Sequence, residues 1–281
     1  MKFTKIKSYA KINLALNITG KNSYIHKIES IVAFISLHDD ILLKEIKSKK
    51  HNISFSGIFS KKINNNNTVS RLLKLLENKE FLKNKKFQIK INKRVPIKAG
   101  LGGGSMNAAS ILKYFIKKKI IKISKKEITE ICNLIGSDVI LGLNSSNLIL
   151  TSKKKIKCYP NCKKFYTFIV KPSFGCSTKE IYSKVRKYNK PKFNSPNKNM
   201  FEYDYLKKMS NSLEPIALSK YKELKKIKFF LENFLKPIFV RMTGSGSAFV
   251  AYFHTKAMCD RAKRLFNKKY KNYWCMSSKT I

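Results

Sequence analysis

The chain has few acidic residues and few arginines, and these scarcities limit the classes of protein to which it can belong. Its 281 residues contain 16 Asp and Glu against 60 Lys and Arg, giving a formal net charge of +44. Only 6 of the 60 basic residues are arginine, the side chain best suited to bidentate contacts with phosphates and bases. The lysines are spread along the whole chain. A specific nucleic-acid partner is therefore disfavoured and kept only as an alternative, although salt-sensitive, nonspecific adhesion to polyanions is expected.

Long apolar runs and cysteine frameworks are also missing. No stretch of 18 apolar residues occurs, so neither a transmembrane helix nor a membrane partner is expected. The six cysteines include one close pair, Cys158 and Cys162, and no second pair completes a zinc site. Reduced thiols suit the cytosol, so a cytoplasmic protein is expected. The chain is long enough to bury a full core in one or two domains.

Glycine is scarce as well, but it is concentrated at one place. Four of the 11 glycines lie between positions 100 and 104, within the segment Pro-Ile-Lys-Ala-Gly-Leu-Gly-Gly-Gly-Ser-Met-Asn-Ala-Ala that ends at Ala109. Glycine lets the backbone approach a ligand closely, and the helix predicted to follow directs N–H groups and its positive dipole end toward an anion. A phosphate-binding loop is therefore predicted, with a simple helix-capping turn as the alternative. No lysine follows as in a Walker motif, and Ser105 replaces the third glycine of a dinucleotide motif.

Two further segments carry candidate polar residues. From Tyr9 to Ile18 apolar residues alternate with others, which predicts a half-buried strand with Lys11 and Asn13 on the face opposite the aliphatic side chains. A solvated face is the alternative for that pair. Asp138 follows a predicted helix that starts with a Ser124-x-x-Glu127 capping box, and apolar residues come directly after it. In this acid-poor chain Asp138 is a candidate functional carboxylate, with a loop-capping role as the alternative.

Taken in order, these segments resemble the GHMP kinase superfamily. Within it the resemblance is closest to the branch whose acceptor is methylerythritol joined to cytidine diphosphate, and Lys11 on the first strand favours this branch over the mevalonate and homoserine kinases. The segments that carry the resemblance run along essentially the whole chain: Tyr9 to Gly20, Pro96 to Ala109, Gly136 to Val139, Lys171 to Thr178, Asn211 to Pro215 and Arg241 to Ala248.

The resemblance implies a fold, a reaction and partners. The expected fold is α+β, with two domains at 1–155 and 156–281 and the active site in the cleft between them. The expected reaction is phosphorylation of the acceptor's 2-hydroxyl by ATP with Mg²⁺, on the non-mevalonate route to isopentenyl diphosphate. The expected partners are the small-molecule substrate and ATP, and the expected state is a monomer or weak homodimer.

The resemblance also assigns roles to individual residues. Asp138 would accept or orient the proton of the acceptor hydroxyl, and Lys11 would hold that hydroxyl and offset charge on the moving phosphoryl group. Ser105 would also be a candidate Mg²⁺ contact. The implied ATP-binding residues are Pro96, Lys98, Ala99, Gly100, Leu101, Gly102, Gly103, Gly104, Ser105, Asn107 and Ala108. The implied substrate-binding residues are Asn13, His26, Thr178, Tyr182, Thr243, Gly244 and Ser245.

Three positions depart from the family pattern. The segment from Asn22 to His26 is one residue shorter than usual, which displaces Tyr24 and puts Ile25 where an aromatic ring would stack on cytosine. Tyr182 keeps the other half of that stacking arrangement. Met106 replaces a serine of the loop, and Val139-Ile-Leu replaces Val-Pro-Phe behind Asp138.

The same patterns predict a coarse secondary structure. Strands are predicted at 3–18, 30–36, 41–47, 87–92, 165–171, 238–243 and 248–253. Helices are predicted after Thr68, after Ser105, after Ser124, after a Ser177-x-x-Glu180 capping box, up to Leu235, and over 256–267. A polar crossing is predicted at 153–157 and a loop at 186–199.

Overall fold

The structure is a computed structural model that describes residues 2–23, 25–144 and 146–281. It has the predicted α+β composition, with helices accompanying two sheets. The strands are β1 (Thr4–Lys21), β2 (His26–Ile46), β3 (Asn52–Ser56), β4 (Lys86–Asn92), β5 (Asn147–Leu150), β6 (Ile156–Tyr159), β7 (Tyr166–Lys171), β8 (Phe239–Met242), β9 (Phe249–Phe253) and β10 (Trp274–Lys279). The helices are α1 (Thr68–Asn78), α2 (Gly103–Lys117), α3 (Lys125–Ile135), α4 (Val139–Gly142), α5 (Thr178–Ser183), α6 (Tyr203–Lys207), α7 (Glu214–Lys220), α8 (Lys222–Phe234) and α9 (Lys256–Lys269), with a 3₁₀ turn at Lys198–Phe201.

The chain divides into two compact units that interleave along the sequence. Unit 1 consists of Met1–Lys11, Leu37–Ile97 and Gly102–Ser145, and unit 2 of Ile12–Ser36, Lys98–Leu101 and Ser146–Ile281. These units are discontinuous, whereas the predicted domains at 1–155 and 156–281 were continuous. The predicted domain boundary and the predicted position of the active site stay predictions.

In unit 1 three helices cover a sheet. Strand β4 pairs in parallel with β3 and antiparallel with β2, with Asp40 opposite Asn92 and Ile46 opposite Lys86. Apolar side chains of α1, α2 and α3 pack against Ile41, Leu43 and the β4 residues to form one core. The capping box predicted at Ser124 and Glu127 is confirmed, because the Ser124 hydroxyl accepts from the Glu127 amide and the Glu127 carboxylate accepts from the Ser124 amide.

In unit 2 an antiparallel sheet is ordered β10-β7-β9-β8. In the same unit the first part of β2 pairs antiparallel with β5, which in turn pairs antiparallel with β6. Its core joins the sheet to α8 and α9 through side chains such as Phe168, Phe249, Leu231 and Phe266. The side chain of Ser177 accepts from the Glu180 amide at the start of α5, but the Glu180 carboxylate pairs with Lys220, so only half of the capping box predicted there forms. In the described part of the chain, no helix is both long and apolar enough to cross a membrane.

Several local predictions are corrected by the structure. The strands predicted at 30–36 and 41–47 form one long β2, in which the intervening Asp39 is buried and paired with Lys93. The polar crossing at 153–157 includes the start of β6, and β10 was not predicted at all. Helix α2 begins at Gly103, before Ser105, so Gly103, Gly104 and Ser105 themselves form its first turn.

Candidate active site

The glycine-rich segment forms a tight turn into α2 in unit 1. Gly102 has φ of 69° and is the residue that caps the helix. The Met106 amide donates to the Gly102 carbonyl over 2.8 Å, closing the first helical turn. The amides of Gly103, Gly104 and Ser105 therefore have no acceptor within the helix and present a set of donors at its positive end. This arrangement is suited to binding a phosphate group.

Lys11 and Asp138 form an ion pair, also within unit 1. The Nζ atom of Lys11 lies 3.1 Å from Oδ2 of Asp138, and the side chains are 3% and 31% exposed, respectively. Lys11 lies on β1, which is buried on both faces from Ala10 to Ile18, so the solvated-face alternative for Lys11 and Asn13 is wrong. Asp138 lies between the end of α3 and α4, where its carboxylate keeps access to solvent. The pair joins a buried cation to an accessible base.

The glycine loop packs directly against this ion pair. A methyl group placed on Gly102 would lie 2.8 Å from Cγ of Lys11. On the other side, Gly136 precedes Asp138 by two residues, and a methyl group on Gly136 would lie 3.8 Å from Oγ of Ser105. The structure therefore brings the α2 N-terminus, Lys11 and Asp138 together, as the resemblance to the GHMP kinases implies. This cluster is suited to aligning an anionic phosphoryl group with a hydroxyl nucleophile.

A buried ion pair beneath the loop was missed by the sequence analysis. Lys93 and Asp39 pair through Nζ and Oδ2, and their side chains are 2% and 0% exposed. The other carboxylate oxygen, Oδ1, accepts from the Arg94 and Val95 amides over 2.7 and 2.8 Å. A methyl group on Gly103 would lie 3.3 Å from Nζ of Lys93. The pair supports the start of α2, and the sequence signal for it is an acidic residue between two apolar segments of β2.

The second glycine motif lies in unit 2, where Asn13 contacts it. The Asn13 amide donates to Oγ1 of Thr243 over 3.1 Å, and the Gly244 amide donates to Oδ1 of Asn13 over 3.0 Å. Thr243 Oγ1 also donates to the Gly100 carbonyl over 3.0 Å. Asn13 is buried, and its Nδ2 donates to Ser30. In the structure Asn13 thus holds the turn, while its predicted contact with substrate stays a prediction.

The remaining substrate-binding candidates form two pairs in unit 2. The rings of His26 and Tyr182 lie with their centroids 5.2 Å apart, and the hydroxyls of Thr178 and Ser245 lie 2.9 Å apart. Burial, reinforced by the charge of Lys21, holds the pKa of His26 below its ordinary value. The predicted displacement of Tyr24 lies outside the described residues. Its neighbour Ile25 is 70% exposed, so its side chain is available to a ligand.

The other predicted ATP-binding residues differ in how open they are. Lys98 is exposed, whereas the side chains of Leu101, Asn107 and Ala108 are buried, with Ala108 inside the unit 1 core. Pro96 and Ala99 are likewise buried, and the Ala99 carbonyl accepts from the Ala248 amide. Contact of the buried members with ATP would therefore use backbone atoms.

Met106 points away from the loop. A methyl group on Gly142 would lie 2.9 Å from its sulfur, so the Met106 side chain packs under α4. The serine-to-methionine departure therefore fills core space.

Comparisons with known proteins find relatives that match nearly the whole chain. A family model described as "GHMP kinases N terminal domain" matches residues 67–150. The 4-diphosphocytidyl-2-C-methyl-D-erythritol kinase of Pelagibacter ubique (strain HTCC1062) is 56% identical over 277 residues, covering 99% of each chain. The protein of the same name from Clostridium tetani (strain Massachusetts / E88) is 32% identical over 285 residues, covering 99% of this chain and 100% of the other.

Solved structures share the fold. A crystal structure of 4-(cytidine 5'-diphospho)-2C-methyl-D-erythritol kinase superposes with a TM-score of 0.79 at 22% identity, covering 99% of both chains. The homoserine kinase of Cytophaga hutchinsonii ATCC 33406 superposes with a TM-score of 0.68 at 14% identity, covering 99% of this chain and 94% of the other. At these identities the likeness establishes the fold alone.

Proposed function

Because the chain belongs to the 4-diphosphocytidyl-2-C-methyl-D-erythritol kinase family of GHMP kinases, we propose that it phosphorylates that substrate. The γ-phosphoryl group of ATP would pass to the 2-hydroxyl of the methylerythritol unit, on the non-mevalonate route to isopentenyl diphosphate. The observation that carries the proposal is the 3.1 Å Lys11–Asp138 ion pair beside the glycine-rich start of α2.

The residues of unit 1 divide the work of phosphoryl transfer. The amides of Gly103, Gly104 and Ser105 bind phosphate oxygens at the helix N-terminus. Asp138 accepts a hydrogen bond from the acceptor hydroxyl and takes its proton as the new O–P bond forms. Lys11 orients the carboxylate and, being buried, acts as an unscreened positive charge beside the transferring group. Because the transition state is loose, alignment and charge stabilisation suffice without a covalent nucleophile.

Mg²⁺ fits this arrangement as a companion of ATP. Among the described residues, no group of three or more His, Cys, Asp or Glu side chains forms a cage for a metal. Mg²⁺ usually takes one or two protein oxygens, several waters and the phosphates of the substrate, so a cage is not needed. The Ser105 hydroxyl, near Gly136, is a suitable oxygen ligand. When bound, the ion neutralises charge on the β- and γ-phosphates.

Substrate recognition is assigned to unit 2 residues. His26 and Tyr182 offer neighbouring rings for the cytosine base, and Thr178 and Ser245 offer adjacent hydroxyls for polar groups of the substrate. The lowered pKa keeps His26 neutral, so its imidazole both donates and accepts a hydrogen bond. The expected cytoplasmic location and the expected monomeric or weakly dimeric state stay predictions.

The deciding experiment measures ADP release by the purified protein with Mg-ATP. The acceptors compared are the diphosphocytidyl substrate, 2-C-methyl-D-erythritol 4-phosphate without the cytidine, mevalonate and homoserine. Turnover of the first acceptor alone supports the proposal and shows that the altered segment before His26 still reads the base. Turnover of both methylerythritol compounds indicates relaxed base recognition. Preference for mevalonate or homoserine would contradict the proposed substrate.

A further inference from the structure

The buried side chain of Asn211 makes two hydrogen bonds to the backbone of the turn at Thr243 and Gly244. Its Nδ2 donates to the Met242 carbonyl over 2.7 Å and to the Gly244 carbonyl over 2.8 Å. Its Oδ1 accepts from the Leu213 amide over 2.9 Å, and the residue is only 2% exposed. Both hydrogens of one amide group are thus used on the two carbonyls that flank Thr243.

Asn211 is itself held rigidly. The Leu16 amide of β1 donates to the Ser210 carbonyl over 3.0 Å, and the Ser212 amide donates to the Leu16 carbonyl over 2.9 Å. Three residues further on, Oε2 of Glu214 accepts from the Met242 amide over 2.8 Å. The segment that carries Asn211 and Glu214 therefore fixes the end of β8 from both sides of its backbone.

The fixed turn in turn supports the first half of the glycine loop, which also belongs to unit 2. Besides the Thr243 hydroxyl bond to Gly100, the Ala248 amide donates to the Ala99 carbonyl over 3.3 Å. The approach is so close that a methyl group on Gly100 would lie 1.9 Å from the Thr243 carbonyl oxygen. A shift of the turn must therefore move Gly100, which precedes the helix-capping Gly102 by two residues in the chain.

We propose that Asn211 is a positioning residue that sets the Thr243–Gly244 turn, and through it the glycine loop, for phosphoryl transfer. This inference rests on the function proposed above. Only a side chain with two donors on one atom can satisfy both carbonyls. An aspartate has the same shape but directs lone pairs of a carboxylate oxygen toward the two carbonyl oxygens. These oxygens repel one another, and because the site is buried and water cannot relieve the repulsion, the turn is displaced.

The test is the isosteric variant Asn211→Asp, assayed for kcat and for kcat/KM of Mg-ATP between pH 5.5 and 8.5. At high pH we expect kcat/KM to fall about ten- to a hundredfold, the cost of a small misplacement of reacting groups. Burial and the two facing carbonyls raise the pKa of the introduced carboxyl, so lowering the pH protonates it and restores one donor. The ratio of variant to wild-type activity should therefore recover toward low pH.

The matched control is Asn233→Asp, because Nδ2 of Asn233 donates to the Phe229 carbonyl on the exposed surface of α8. It should match the wild-type protein at every pH. The charged side chains that line the pocket beside Asn211 are common to all the proteins compared, so the ratio isolates the introduced carboxyl. They are Lys207, Glu214, Lys228, Glu232 and Arg241.

Circular dichroism and thermal melting establish that each variant is folded under assay conditions. If Asn211→Asp does not fold, Asn211→Ser keeps a single hydroxyl donor and should lose part of kcat/KM. A folded variant within twofold of wild type, or a loss that does not change with pH, would overturn the positioning role. If the wild-type protein itself does not phosphorylate the cytidine substrate, the proposed function fails separately. In that case the Kd of Mg-ATP, measured by calorimetry, replaces kcat/KM in the comparison of Asn211→Asp and Asn233→Asp with the wild-type protein.

Discussion

Gly102 leaves open the space that the aliphatic stem of Lys11 fills. A methyl group on Gly102 would lie 2.8 Å from Cγ of Lys11, closer than side-chain atoms pack, and 3.1 Å from its Cε. The backbone of Gly102 also has φ of 69°, which disfavours any other residue. The same glycine therefore shapes the glycine-rich loop and limits where the lysine side chain can lie.

Substituting Gly102→Ala should consequently damage catalysis at two points. The added methyl group pushes Lys11 away from Asp138 and strains the first turn of α2. We expect kcat/KM for Mg-ATP to fall about a hundredfold, measured by coupled ADP release. Gly20→Ala is the control, because a methyl group there meets nothing closer than 3.6 Å. Equal activity of the two variants would show that the Gly102–Lys11 packing has no catalytic role.

Asp138→Asn tests the carboxylate as proton acceptor. The amide preserves the shape but cannot take a proton, so kcat should fall by about two to four orders of magnitude. The Kd of Mg-ATP should change little, because in the proposed mechanism the helix N-terminus provides most of the contacts with the nucleotide. The exposed Asp204→Asn in α6 controls for the loss of one negative charge from an acid-poor chain. Near-normal turnover of Asp138→Asn would remove Asp138 from the assigned role.

Lys11→Ala tests the charge beside the transferring group. Its removal leaves Asp138 without the ammonium 3.1 Å away and removes a cation from the phosphoryl site. Turnover and affinity for the acceptor should therefore be lost together, seen as a lower kcat and a higher KM in steady-state assays. Lys7→Ala, an exposed position on the same strand, should behave as wild type. Intact values for both constants in Lys11→Ala would exclude Lys11 from the site.

Local patterns in the sequence located the candidate residues because these residues lie at element boundaries, whereas the resemblance to the GHMP kinases grouped them into one site. The glycine cluster marks the start of α2, the Ser124 capping box marks α3, and Gly136 ends α3 just before Asp138. Each of these signals spans a few neighbouring residues, so it can be read without knowing the fold. The alternation in β1 likewise located Lys11 on a strand but could not reveal that both faces are buried.

Long-range partners were the part that sequence reasoning could not reach. Asp39 is polar in sequence, but its burial depends on Lys93, far along the chain, and on two loop amides. Strand β10 carries two serines and a lysine, and it is a strand because β7 pairs with it from Trp274 to Lys279. The contacts of Asn211 with the Thr243 turn also join distant segments. In all three cases tertiary contacts outweigh local propensity.

His26 should give substrate binding a characteristic pH dependence. Burial and the charge of Lys21 lower its pKa, so the imidazole stays neutral above the ordinary value of about 6.5. Protonation at lower pH removes its acceptor nitrogen. We therefore expect KM for the cytidine substrate to be constant from pH 7 to 8.5 and to rise only on acidification below about 6.5. KM for Mg-ATP, measured in the same assays, should not follow this profile.

The variant His26→Gln identifies the group responsible. Glutamine keeps a donor and an acceptor but does not titrate, so the rise of KM on acidification should disappear. His254→Gln, at an exposed position after β9, is the matched control and should retain it. A KM that falls on acidification, or a profile unchanged in His26→Gln, would contradict the assignment of His26 to the base.

The buried ion pair of Lys93 and Asp39, which lies beside the start of α2, should contribute strongly to the free energy of unfolding. Lys93→Met leaves the Asp39 carboxylate fully buried, and among the described residues its remaining partners are the Arg94 and Val95 amides. Breaking such a pair from one side costs about 3–5 kcal/mol in the free energy of unfolding. Equilibrium urea unfolding followed by circular dichroism measures it, with exposed Lys74→Met as the control.

A second substitution separates the ion pair from simple packing. Asn at position 39 can still accept from the Arg94 and Val95 amides but carries no charge to be left unpaired. The double variant Asp39→Asn with Lys93→Met should therefore be more stable than Lys93→Met alone, because the two sites are directly coupled. If the double variant loses the sum of the two single effects, the pair is not coupled, and the support for α2 comes from the surrounding apolar contacts instead.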